Sequence, residues 1–228
     1  MTKRPARPAP PPPPAKKSIW LWVAIGAVIA IALGIAVWST TGNDPKVSVG
    51  TTGTDNSSSS AAETQPVTVV GTALAPPPQS GADTAIGTTP PILKGFTFAG
   101  APIDITPGGR AKMVVFLAHW CPHCNREIPV IEAWAAGGGL PANLDIIGVS
   151  TGVAADRDNY QPSAWIVKMA WKWPVMADSA QSDAALAYGV AGYPTFAIVG
   201  ADGKVKVRNS GELPVADLDA MVKKALAS

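Results

Sequence analysis

Cys121 and Cys124 are the only two cysteines among 228 residues, and they lie one helical turn apart. Their flanks constrain the fold. Met113-Val114-Val115-Phe116-Leu117 is apolar throughout, without polar alternation, and reads as a strand buried on both faces. Ala118-His119-Trp120 makes a short loop. From Cys121 the pattern turns helical, with Ile128, Ile131 and Trp134 spaced in threes. The pair is therefore placed where a strand meets the N-terminus of a helix. There the unpaired N–H groups and the helix dipole favour a thiolate on Cys121.

Dithiol exchange is the chemistry that this spacing serves best. A purely structural bridge across three residues closes a tiny loop and constrains the unfolded chain little. A metal site built from Cys121, Cys124, His119 and His123 would need His119 to turn inward, whereas the strand–loop–helix geometry points it away. Haem attachment requires a histidine directly after the second cysteine, and Asn125 stands there. No metal and no cofactor are expected.

Four zones follow from composition. Residues 1–18 carry Lys3, Arg4, Arg7, Lys16 and Lys17 with no acid, and a polyproline stretch at Pro10 to Pro14 that serves as a spacer or a partner ligand. The remaining chain is acidic on balance, so the mild overall basicity belongs to this tail. No basic stripe with interleaved aromatics occurs, and nucleic-acid binding is not expected. Residues 19–38 are uncharged and span ~30 Å as a helix, enough for a bilayer core. Trp20, Trp22 and Trp38 stand at the two ends as interfacial anchors do. The run is longer than a signal-peptide core, and Ala36-Val37-Trp38-Ser39 is a poor cleavage site, which favours an uncleaved anchor over a removed leader. The preceding positive charges place the N-terminus in the cytoplasm and the rest outside. Residues 39–91, rich in Thr, Ser, Gly, Pro and Ala, read as a disordered linker with a reach of ~40 Å, in which Val67-Thr68-Val69-Val70 is a candidate strand. Residues 92–228 form the folded domain.

Within that domain, Phe96-Thr97-Phe98 and Ile103-Asp104-Ile105 read as a hairpin around Ala99 to Pro102. The helix after Cys121 ends near Gly137. Leu144 to Ser150 is a parallel strand, and a helix follows from about Pro162 to Lys172. Asp183 to Tyr188 is a short helix. Thr195 to Val199 and Lys204 to Arg208 form a hairpin about Ala201-Asp202-Gly203, and Ala216 to Ala227 is a terminal helix. The order βαβ, helical crossover, ββα fits an α/β fold with a central mixed sheet and helices on both faces.

Phe116 to Cys124, followed by Asn125-Arg126-Glu127-Ile128-Pro129, resembles the active-site segment of thioredoxin-fold proteins, and most closely their membrane-anchored TlpA/ResA-like branch. Val190-Ala191-Gly192-Tyr193-Pro194-Thr195-Phe196 resembles the cis-proline loop of the same fold. The resemblance covers residues 92–228. It implies that Cys121 is the nucleophile and Cys124 the resolving thiol. It implies that Glu127 is a buried proton acceptor, against the plain reading of a solvent-facing helix acid. It implies that Pro129 kinks the helix and that Pro194 is cis and faces the dithiol. Trp120, Tyr193 and Pro194 would line the substrate groove, whereas Trp165, Trp171 and Trp173 read as core. Cytosolic thioredoxin has a buried aspartate where Val115 stands here.

The Pro122-His123 dipeptide resembles that of strongly oxidising DsbA-type proteins, and His123 lies within reach to favour the Cys121 thiolate by charge or hydrogen bonding. Dipeptide and scaffold point in opposite redox directions. The expectation is a membrane-tethered, extracytoplasmic thiol–disulfide oxidoreductase. Its partners would be cysteine-containing exported proteins, a redox protein that recycles the dithiol, and the membrane through residues 19–38. Disulfide donation is the first reading. A reductase for apocytochrome c maturation or disulfide repair is the second, and a non-catalytic binding module that uses the groove near Pro194 is the third.

Overall fold

The computed structural model describes residues 62–228. The expected basic tail, the membrane span at 19–38 and the first part of the linker lie outside the described residues. Eight strands form one mixed sheet. They are β1 Thr68–Val70, β2 Ile92–Phe96, β3 Pro102–Ile105, β4 Ala111–Leu117, β5 Leu144–Ser150, β6 Val175–Ala177, β7 Thr195–Val199 and β8 Val205–Ser210. Four helices join them: α1 Pro122–Ala136, α2 Pro162–Lys168, α3 Asp183–Ala187 and α4 Val215–Leu226. The sheet order is β1-β2-β6-β5-β4-β7-β8, with β3 paired to β2. This is a thioredoxin-like α/β fold.

The apolar run of β4 makes it the central strand. It pairs in parallel with β5, Met113 opposite Ile146 and Leu117 opposite Ser150. It pairs antiparallel with β7, Phe116 opposite Thr195. Alternate residues of a strand face opposite sides, so β4 feeds two cores. Met113, Val115 and Leu117 pack with Ile128, Ile131 and Trp134 of α1 and with Leu218 and Val222 of α4. Val114 and Phe116 pack on the other face with Tyr188, Leu93, Ile105 and Met176. Full burial of each such large side chain contributes about 1.5–3 kcal/mol. Val115 is thus an ordinary core residue, completely buried.

β5 and β7 lie where the sequence pattern puts them, whereas the first strand of the N-terminal hairpin runs Ile92–Phe96 and leaves Thr97 and Phe98 to the turn. The helix expected to reach Lys172 stops at Lys168 instead. Ala170 adopts φ 57°, and Trp171 N–H bonds back to Ile166 O at 3.3 Å. This left-handed stop drops Trp171 into the core, where Trp165 and Trp171 are both buried. The three-residue β6 that follows is too short to show a pattern.

The assignment of residues 62–91 to a disordered linker is corrected. This segment is a strap across the sheet. β1 pairs antiparallel with β2, Val69 opposite Leu93. Leu74 and Ala85 are buried in the second core. Leu74 N–H bonds to Ala187 O at 2.9 Å. Glu63 accepts from Ser163 N–H at 2.9 Å and from its hydroxyl at 2.6 Å. Asp83 pairs with Arg208 of β8, whose side chain is almost wholly buried. At Gly189, φ is +65° and a Cβ would lie 2.6 Å from Ala75 O, so only glycine admits the strap there. Linker-like composition hid the strap because it is held by backbone bonds, small residues and one ion pair. A large apolar stripe is not what fixes it.

Candidate active site

Cys121 is the N-cap of α1, in extended conformation (φ −79°, ψ 118°), and Pro122 takes the first helical turn, where its missing N–H costs nothing. Cys121 is 5 % exposed and Cys124 is completely buried. Both thiols are buried, and Cys121 is the one that keeps access to solvent. Burial pushes the Cys124 thiol far above its ordinary range, and the neighbouring Cys121 adds to this.

Two further elements close the site. Tyr193–Pro194 is a cis peptide, and Tyr193 O lies 3.5 Å from Cys121 Sγ. The loop after β5 supplies Gly152, whose carbonyl accepts Trp120 Nε1–H at 2.7 Å. Trp120 and Tyr193 meet edge to face with ring centroids 5.9 Å apart. Gly152, at φ +61°, passes so close to Tyr193 that a Cβ would sit 3.1 Å from its hydroxyl. The Arg157 guanidinium lies 4.5 Å over the Trp120 ring. Trp120, Tyr193 and Pro194 thus come together around Cys121.

His119 is completely buried and does point away from the dithiol. Its Nδ1–H donates to Asp158 O at 2.7 Å, and Nε2 accepts Ala154 N–H at 3.2 Å. Both nitrogens are used in pinning the loop after β5.

Glu127 is 1 % exposed. Its Oε2 accepts Leu213 N–H at 2.9 Å, and its Oε1 is buried without a hydrogen-bond partner. Burial raises its pKa above the ordinary glutamate range. The Leu213 bond opposes this, and the charge of Glu212 adds to it. The plain alternative of a solvent-facing helix acid is excluded by this burial.

His123 departs from the expected bond to Cys121. Its Nδ1 lies against Glu212 Oε1 and 3.0 Å from Arg126 Nη2, and the thiol bonds to Tyr193 O instead. Arg126 grips the same carboxylate, with Nη2 2.6 Å from Oε1 and Nε 3.1 Å from Oε2. Arg126 first and His123 second draw the Glu212 pKa down to about 2. Arg126, Glu212 and Leu213 were not singled out from the sequence. Neither was Asn125, which accepts Trp165 Nε1–H at 2.7 Å and donates to Cys121 O at 3.2 Å. The helical spacing of Arg126 beside His123 was visible, but nothing local signals the distant Glu212.

Residues 100–222, more than half of the chain, match the family model described as Redoxin. The chain belongs to the Redoxin family. With its dithiol at a helix start, this Redoxin-family chain is a thiol–disulfide oxidoreductase. Its fold is shared with solved structures. A candidate DsbE thiol:disulfide interchange protein from Chlorobium tepidum is 18% identical, with TM-score 0.50 over 61% of this chain and 96% of that one. StoA from Bacillus subtilis is 18% identical, with TM-score 0.48 over 58% and 97%. A secreted Mycobacterium tuberculosis disulfide oxidoreductase homologous to Escherichia coli DsbE is 24% identical, with TM-score 0.47 over 62% and 98%.

Proposed function

We propose that this Redoxin-family chain is a membrane-tethered, extracytoplasmic oxidoreductase that donates disulfides to exported proteins. The observation that carries the exchange chemistry is the pairing of Cys121 at the helix mouth with a fully buried Cys124. In the donating direction a substrate thiolate attacks Cys121 Sγ of the Cys121–Cys124 disulfide. The S–S bond breaks, and Cys124 leaves with the electron pair and takes up a proton. A second substrate thiolate then attacks the substrate sulfur of the mixed disulfide and releases Cys121. The substrate loses two electrons and the enzyme gains them, to be removed by a recycling redox protein. Cys121 and Cys124 are the exchanging groups, Pro122 and His123 set the poise, and Glu127 exchanges the Cys124 proton. Trp120, Tyr193 and Pro194 line the bound chain.

The direction rests on Pro122-His123. The tether rests on the uncharged run at 19–38 and its basic flank. One observation favours the reductase reading: the acids Glu127 and Glu212 both lie at the dithiol helix. The test is the reduction potential of the purified full-length protein in glutathione buffers. A value above that of thioredoxin, about −270 mV, and toward that of DsbA, about −120 mV, is expected. A value at or below thioredoxin's overturns disulfide donation and leaves reduction. Failure to form an internal disulfide would overturn exchange altogether.

A further inference from the structure

Glu212 lies at the turn between β8 and α4, far from Cys121 in sequence, yet its carboxylate meets two side chains of the first turns of α1, the His123 imidazole and the Arg126 guanidinium. His123 Nδ1 lies against Oε1, and Arg126 holds both oxygens. His123 and Arg126 stand two and five residues beyond Cys121, on the first turns of the helix that Cys121 caps. The three side chains are partly exposed, with Glu212 the least so at 33%. The next residue, Leu213, gives its N–H to Glu127, so this turn contacts both the exposed His123 and Arg126 and the buried acid of the dithiol helix.

We propose that Glu212 is a positioning residue for the exchange reaction, which holds His123 and Arg126 in an ion-paired arrangement and thereby lowers the reduction potential of the Cys121–Cys124 pair. This deepens the dithiol-exchange reading above and rests on it. A thiolate on Cys121 stabilises the reduced protein, and cations beside it raise the potential. The Glu212 carboxylate cancels part of the field of Arg126 and holds the His123 imidazole that could otherwise turn to the thiol. The dithiol is then less oxidising than its dipeptide alone would make it. The opposing redox leanings of dipeptide and scaffold meet at this carboxylate.

Glu212→Gln removes the charge and keeps an oxygen that can accept from both partners. In full-length protein equilibrated with glutathione, this variant is expected to shift the equilibrium about tenfold toward the dithiol, a rise of about 30 mV. Arg126→Gln is expected to shift it the other way, which keeps the proposal testable should Glu212→Gln fold poorly. In a His123→Ala, Arg126→Gln background the effect of Glu212→Gln should fall to less than half. An unchanged potential in Glu212→Gln overturns the proposal. So does a full-sized shift that survives in the double background, since it would run directly to the dithiol or through Glu127. A wild-type protein that forms no internal disulfide refutes the exchange reading and this inference with it. A wild type that cycles normally while Glu212→Gln has no effect refutes the inference alone.

Discussion

Leu213 donates its backbone N–H to Glu127 Oε2 at 2.9 Å, and it is the one hydrogen bond to that buried carboxylate among the described residues. One bond leaves the charged form of Glu127 poorly compensated, since ionised carboxylates ordinarily collect two or three donors when buried. The acid is therefore held toward its neutral form, with burial as the main cause.

A pH dependence of stability follows. A carboxyl whose folded pKa is raised binds its proton more tightly in the folded state than in the unfolded one. Its contribution is fully present below the ordinary glutamate value, ~4.3, and is lost as pH rises through the raised folded value. Reduced wild-type protein should lose stability relative to Glu127→Gln as pH climbs from about 4 to 8. Urea midpoints of the two proteins across that range measure it. A difference that stays constant with pH would refute the assignment.

Trapping should separate the two thiols. Cys124→Ser is expected to accumulate mixed disulfides through Cys121, and Cys121→Ser is not, because Cys124 is completely buried. Non-reducing gels and intact-mass measurement read the adducts. Since burial keeps Cys124 protonated, its attack on a mixed disulfide should speed about tenfold per pH unit across neutrality. If Glu127 accepts that proton, Glu127→Gln should slow resolution about 10²-fold at pH 7. A resolution rate indifferent to both pH and Glu127 would exclude proton removal from Cys124 as the slow step.

What the sequence displayed was whatever local pattern controls. β4, β5 and β7 are mostly apolar runs; β5 and β7 fell where the pattern placed them, and β4 begins two residues earlier, at Ala111. Cys121, Cys124 and Pro194 sit in short motifs and were legible for the same reason. The strap beyond its candidate strand at Val67 to Val70 was not, because Leu74 and Ala85 stand among small residues, threonines and prolines with no repeating apolar period, and Asp83 finds Arg208 only through the fold. Glu212 was hidden likewise, since its partners His123 and Arg126 belong to another element. His123 was legible as a residue but not in its direction, which the carboxylate across the site decides.

The Asp83–Arg208 pair should matter more than its surface counterparts. Arg208 is buried, and it also donates to Tyr188 O at 2.8 Å. Arg208→Ala would strand Asp83 and that carbonyl, at a cost of about 3 kcal/mol. Removing exposed Arg110, paired with Asp145, should cost below about 1 kcal/mol. Denaturant midpoints compare the two, and limited proteolysis should nick the Arg208→Ala strap between residues 72 and 89 first. Equal losses would mean that the strap contributes nothing the surface does not.

Replacing the dipeptide tests whether it governs the poise. Pro122→Gly with His123→Pro removes an imidazole from the dithiol turn and leaves Arg126 as the cation paired with Glu212. Without the imidazole the Cys121 thiolate is less stabilised, hence the disulfide is harder to reduce. The potential should fall by about 60 mV, a hundredfold shift in the glutathione equilibrium. Combining the swap with Glu212→Gln should recover part of that fall, because Arg126 is then released from its carboxylate. An unchanged potential in the swapped protein would assign control to the scaffold, with Glu127 behind the dithiol and Glu212 at its rim. A fall that Glu212→Gln does not relieve would separate the dipeptide's effect from the ion pair.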